Sequence, residues 1–146
     1  MRDYPAGLGV VKELLQNADD AGATWLELIL DRRTHCAESL PDPRMAERGL
    51  MGPALLARSD QSFNDQDLER IQCIGAGSKV QDSGKTGQFG RGFNTVYSLT
   101  DYPAFATRGL IRCFDPLEDA VAAEGEPGRG WDLAELWAAW PDWPMP

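Results

Sequence analysis

The chain has 146 residues, 42% of them hydrophobic, with 14 basic and 23 acidic side chains and a formal net charge of −9. That length supports one domain with a real core and leaves no room for two comfortable ones. The acidity excludes nucleic acid as the expected partner, because phosphate backbones need a basic surface. No stretch is long and apolar enough to cross a bilayer, and Met1-Arg2-Asp3-Tyr4-Pro5 lacks the apolar run of a signal peptide. Cys36, Cys73 and Cys113 lie far apart. An odd, scattered set predicts neither a disulfide framework nor a zinc cluster, and favours a reducing cytoplasmic setting. The acidity is local: residues 115–146 carry eight acids against Arg129 alone, whereas residues 1–114 hold fifteen acids and thirteen bases.

After a turn at residues 3–7, the first predicted helix runs from about Leu8 to Ala21 and stops at Gly22, a residue suited to the left-handed C′ position. At 100° per residue, Val10, Val11, Leu14, Leu15 and Ala18 fill one core-facing arc, and Lys12, Gln16 and Asp19 face water. Glu13, Asn17 and Asp20 fall between the two, at steps of four and three, and so stack along one line. Two carboxylates and an amide on such a line suit a metal ion and an activated water. Taken alone, they read as surface residues near a helix end.

Thr24 to Asp31 predicts a strand with one covered face. Residues 32–52, with two prolines and mixed charge, read as a long connection in which His35, the only histidine, is a surface loop residue. Pro53 to Arg58 is a second short strand, and Asn64 caps a helix over residues 65–71 with acids in its first turn. From Gly75 to Gly92 come six glycines, ending in Gly87-Gln88-Phe89-Gly90-Arg91-Gly92-Phe93-Asn94 before a short helix at residues 95–99. Glycines let successive N–H groups converge on an anion, and a following helix N-terminus adds donors. The segment fits a phosphate cradle or a flexible lid equally. It is neither a Walker A loop nor a dinucleotide fingerprint. Residues 110–114 form a third strand candidate. Residues 118–129 read as a solvated acidic loop, and Asp132 caps a last helix over residues 133–140. On that helix Leu133, Leu136, Trp137 and Trp140 share a face that needs cover, from the domain's own surface first and a partner second.

The order Glu-x-x-x-Asn-x-x-Asp on a helix, a strand ending in an acid, and Gly-x-x-Gly-x-Gly-Phe resembles the Bergerat nucleotide-binding fold of the GHKL superfamily. Gyrase, the ninety-kilodalton heat-shock chaperone, histidine kinases and MutL share that fold. Residues 13–24, Asp31-Arg-Arg-Thr-His35, residues 52–56, Ile74-Gly-Ala-Gly-Ser-Lys79 and residues 86–94 are most similar to the sacsin-type chaperone-like repeat domain, over about Tyr4 to Pro116. The resemblance implies an α/β fold: a two-layer sandwich of a mixed sheet with helices on one face. Residues 1–116 would form the nucleotide-binding domain and residues 117–146 an acidic, Trp/Pro-rich tail. The family's closing strands, expected after Phe114, have no evident counterpart, as in a fragment or truncated product.

The resemblance also implies roles. Glu13 takes the place of the general base that orients water on the γ-phosphate, and Asn17 that of the Mg²⁺ ligand. Asp20 lies at the nucleotide end of the pocket. Gly87, Gln88, Phe89, Gly90 and Gly92 correspond to the phosphate-contacting box, and Ser78 and Lys79 precede the lid near the nucleotide. ATP or ADP with Mg²⁺ would be the cofactors, hydrolysis slow at most, and client proteins or co-chaperones the partners. One departure is plain: GHKL proteins carry Asp-x-Gly-x-Gly beside the adenine, and this chain has Arg58-Ser59-Asp60-Gln61-Ser62. Arg58 falls at the adenine aspartate, so Asp60 serves only with a rearranged turn. Sacsin-type repeats share this lack of glycines. The alternative implied is an interaction module that keeps the fold without using nucleotide. A histidine-kinase catalytic domain fits poorly, because no phosphoacceptor domain is present.

Overall fold

A helix built from Leu8, Val10, Val11, Leu14 and Ala18 needs a stop, and Gly22 supplies it. The computed structural model describes residues 6–66, 68 and 93–141. In it the first helix, α1, spans Ala6–Asp20. Gly22 adopts φ +74°, the Ala23 N–H donates to Ala18 O at 2.9 Å, and the Gly22 N–H donates to Asp19 O at 2.9 Å. These crossed bonds satisfy carbonyls that a helix end leaves orphaned. They also turn the chain so tightly that strand β1 (Leu26–Asp31) starts within a few residues.

β1 pairs antiparallel with β2 (Ala54–Ser59), from Leu26 opposite Ser59 to Asp31 opposite Ala54. The connection between them is not structureless. It carries a single-turn helix, α2 (Arg44–Glu47), and Met45 and Met51 are buried. Two methionines spaced without a period gave no sequence signal, yet both are buried, and Met45 anchors the loop to the second half of the molecule. After the 3-10 helix Asn94–Ser98, β3 (Ala104–Thr107) and β4 (Leu110–Phe114) form a hairpin. Its turn, Arg108 at φ 51° and Gly109 at φ 80°, has positive φ at both central residues. That backbone twist matches the twist of the strands it joins.

The tail departs most from expectation. β5 (Gly128–Asp132) pairs antiparallel with β4, Leu110 opposite Asp132 and Phe114 opposite Gly128, so a strand does follow Phe114. Ala120, Val121 and Ala122 are buried rather than solvated. The cause is Asp115. Its fully buried carboxylate accepts backbone N–H bonds from Ala120, Val121 and Ala122 at 2.8, 2.7 and 2.9 Å, and from Asp119 at 3.2 Å. Desolvation alone would raise its pKa, but those four donors outweigh it and leave the carboxyl below its usual range. Asp132 then caps α3 (Leu133–Ala139) through the N–H groups of Ala134 and Glu135, as the sequence suggests.

The main core gathers Met45 of α2, Ile111 and Cys113 of β4, Ala120, Val121 and Leu136 of α3. Leu133, Trp131 and Trp140 pack against it, so the apolar stripe of α3 docks on the domain's own surface. The Phe114 ring lies 5.7 Å from Phe93 and 5.9 Å from Phe105, and Phe105 in turn meets Phe63 of the first half at 5.5 Å. The class is α/β as expected. Among the described residues, however, the strands form two separate antiparallel sheets, β1-β2 and β3-β4-β5, rather than one mixed sheet. A two-residue turn joining β3 to β4 permits only antiparallel pairing. No helix among the described residues is long and apolar enough to cross a membrane.

Candidate functional site

α1 covers most of the arc its apolar residues predict, with Val11 and Leu14 half-buried, and is turned from it at the Leu15 edge. Val10 is 1% exposed and Ala18 is buried, yet Leu15 is 58% exposed and Leu8 stands in water. Glu13 and Asn17 are half-buried, and Asp20 is exposed. The covered arc is therefore centred on Val10 and reaches toward Glu13 and Asn17, while the Leu15 edge is left outside. Covering polar groups costs free energy unless they have a purpose or a partner. A helix that exposes a leucine while covering a carboxylate and an amide is turned toward its polar line. From Glu13 to Asp20 that line runs about 10 Å along the helix axis. α1 packs against the 3-10 helix Asn94–Ser98, which directly follows the glycine-rich segment in sequence.

Asp60 lies just beyond the end of β2, and its carboxylate is held from the end of α1. The Thr24 N–H donates to Oδ1 at 2.9 Å and the Thr24 hydroxyl donates to Oδ2. The hydroxyl bond, helped by backbone donors, keeps the Asp60 carboxyl below the usual carboxylate range. Arg58, the residue that falls at the adenine position by motif counting, sits inside the ladder opposite Glu27 and pairs with it at 3.6 Å. Asp60 is thus the carboxylate presented past the strand end, at the Asp20 end of the polar line. Thr24 closes the stretch of residues 13–24 that carries the resemblance, but its pairing with Asp60 gave no sequence signal, because the two lie 36 residues apart.

Ser78, Lys79, Gly87, Gln88, Phe89, Gly90 and Gly92 lie outside the described residues. Among the described residues no group of three or more His, Cys, Asp and Glu side chains could hold a metal ion.

His35 is more than a surface loop residue. Its Nε2 lies 3.2 Å from Asp31 Oδ2, and its backbone N–H donates to Met51 O at 2.7 Å. Arg33 also grips Asp31 through Nε and Nη2 at 2.8 and 2.7 Å. The Arg33 bonds first, with a smaller contribution from His35, hold the Asp31 carboxyl well below its usual range. This cluster ties the long connection to the end of β1. A cleft of about 260 Å³ lies between Arg44, Val121, Ala122 and Arg129, and none of the candidate residues lines it.

Residues 1–136 match the family described as SACS: Sacsin domain. Over 114 residues, 77% of this chain, the sequence is 45% identical to the human protein named Sacsin, and the match spans 2% of that protein. The chain therefore corresponds to a small part of a much longer relative. The family match takes in β5 and most of α3, elements that the tail contributes to the core. On the extent of the family match, the chain belongs to the Sacsin domain family.

Proposed function

We propose that the chain is the ATP-binding domain of a sacsin-like chaperone, built on the GHKL (Bergerat) plan, with slow Mg²⁺-dependent hydrolysis at most. The observation that carries this reading is the rotation of α1, which covers Glu13 and Asn17 at the expense of Leu15. In this reading Glu13 orients the attacking water, Asn17 offers its side-chain oxygen to the magnesium ion, and Asp60 accepts from the nucleobase. Asp20 borders the same pocket, and the phosphates meet Ser78, Lys79 and the box of Gly87, Gln88, Phe89, Gly90 and Gly92. Phosphoryl transfer asks for positioning and charge stabilisation more than covalent help, which a carboxylate on a rigid helix can provide. Such a domain would work in the cytoplasm on client proteins or with co-chaperones.

Calorimetric titration with ADP and Mg²⁺ tests the binding; a folded sample giving no heat at millimolar nucleotide refutes it. Glu13→Ala is expected to abolish hydrolysis while nucleotide still binds, because the base acts in the transition state. Loss of both together removes Glu13 from that role.

A second reading, an interaction module that does not use nucleotide, has one observation in its favour. Leu28, Leu30 and Leu55 share one face of the β1-β2 ladder and are exposed, an apolar surface of the kind that marks partner contacts. It requires a melting temperature unchanged by ATP, whereas a ligand of the native state raises it.

A further inference from the structure

The geometry points to Thr24 as the positioning residue that sets the nucleobase preference of Asp60. This rests on the nucleotide reading above and adds to it a residue that no motif singles out. An exposed aspartate at the start of a loop has two free side-chain torsions, and a freely turning carboxylate discriminates poorly between ligands. Here both oxygens are gripped by one residue, Oδ1 by the Thr24 N–H at 2.9 Å and Oδ2 by the Thr24 hydroxyl. Two bonds to two oxygens set the plane of the carboxylate as well as its position.

Thr24 is itself held. It follows directly on the crossed bonds from Ala23 to Ala18 and from Gly22 to Asp19 that close α1. The orientation of Asp60 is thereby referred to α1, the helix that carries Glu13 and Asn17, rather than to its own loop. The same contact sits one step past the last ladder pair, Leu26 opposite Ser59, so it also extends the sheet. The two roles make different predictions.

Each carboxylate oxygen has two lone pairs; Thr24 takes one on each, the Asp60 and Trp25 backbone groups contribute more weakly, and the capacity that is left accepts a donor from a ligand. The exocyclic amino group of a 6-aminopurine is such a donor. A purine with a keto oxygen at that position meets the carboxylate with an acceptor and is repelled. A carboxylate held in one plane enforces that difference, whereas one free to swing away tolerates either base.

The test titrates the full chain with ADP and with GDP, both with Mg²⁺, and compares it with Thr24→Val and Thr24→Ser. Valine keeps the shape and the backbone N–H and removes the hydroxyl; serine keeps the hydroxyl. Thr24→Val is expected to weaken ADP about tenfold, the scale of one hydrogen bond, and to narrow the ADP-to-GDP ratio. Thr24→Ser retains both. Thr24→Ala repeats the loss without branched methyls and serves if the valine variant does not fold. A contact that only extends the sheet would lower the urea midpoint and leave the ADP-to-GDP ratio unchanged; that result overturns the proposal for Thr24 alone. An unaltered chain that binds neither nucleotide overturns the nucleotide reading and this inference with it.

Discussion

Asp115 offers the sharpest test of how the second half of the molecule is held. Asp115→Ala leaves the N–H groups of Ala120, Val121 and Ala122 without their acceptor in residues that are themselves buried. An unsatisfied buried donor costs about 1–3 kcal/mol, so three of them imply at least about 3 kcal/mol, and partial relaxation limits the total to about 5 kcal/mol. Against the ~5–15 kcal/mol typical of a domain, that is a large share. Asp115→Asn keeps the shape and one carbonyl oxygen for the three N–H groups on Oδ2, but it loses the charge and puts an amide donor where Oδ1 accepts from the Asp119 N–H, so its cost is expected to be about 1–2 kcal/mol. Urea unfolding followed by tryptophan fluorescence reads both. The pH dependence adds a sign. The folded Asp115 carboxyl lies below its ordinary value, so its contribution is complete above the unfolded pKa of about 3.9. It fades as pH falls through the lower folded value. Asp115→Asn is therefore expected to lose less stability on acidification than the unaltered chain. A cost under about 1 kcal/mol for Asp115→Ala, or identical acid dependence in Asp115→Asn, refutes the role given to this carboxylate.

Two further outcomes follow from the same region. A Cβ on Gly128 would lie 2.3 Å from Cys113 O and 2.9 Å from Phe114 Cα, so Gly128→Ala forces β5 away from β4. It is expected to destabilise by about 2–4 kcal/mol with loss of amide-exchange protection along β4, and a midpoint within error of the unaltered chain speaks against that close approach. Burial, and secondarily the charge of Asp115, pushes the Cys113 thiol up to about 12. Alkylation of the native protein at pH 8, mapped by mass spectrometry, is thus expected to label exposed Cys36 and spare Cys113; equal labelling counts against burial as the cause.

Legibility in the sequence followed the range of the forces involved. Gly22 ended α1 and Asp132 capped α3 because both act on backbone groups a few residues away. β5 was missed because Gly128-Arg129-Gly130-Trp131-Asp132 has two glycines and no alternation. It is a strand by virtue of β4 beside it, and its first glycine is required by the approach of Cys113. Ala120 to Ala122 read as solvated because their acidic neighbours dominate the composition, while their burial depends on one carboxylate several residues upstream. At the candidate site, the spacing of Glu13, Asn17 and Asp20 was plain from the helical repeat. The rotation of α1 and the grip of Thr24 on Asp60 were not, because each depends on elements distant in sequence.

The main core draws Met45 and Leu136 into one cluster, from opposite halves of the chain. During synthesis, therefore, α1 and the β1-β2 ladder emerge and can close on local contacts long before Leu136 leaves the ribosome. Met45 remains without that cover until then. Pairings between distant parts of a chain are slow to form, and apolar surface exposed in the interval is prone to aggregate. The arrival of α3 thus sets the moment at which Met45 and the elements around it become protected.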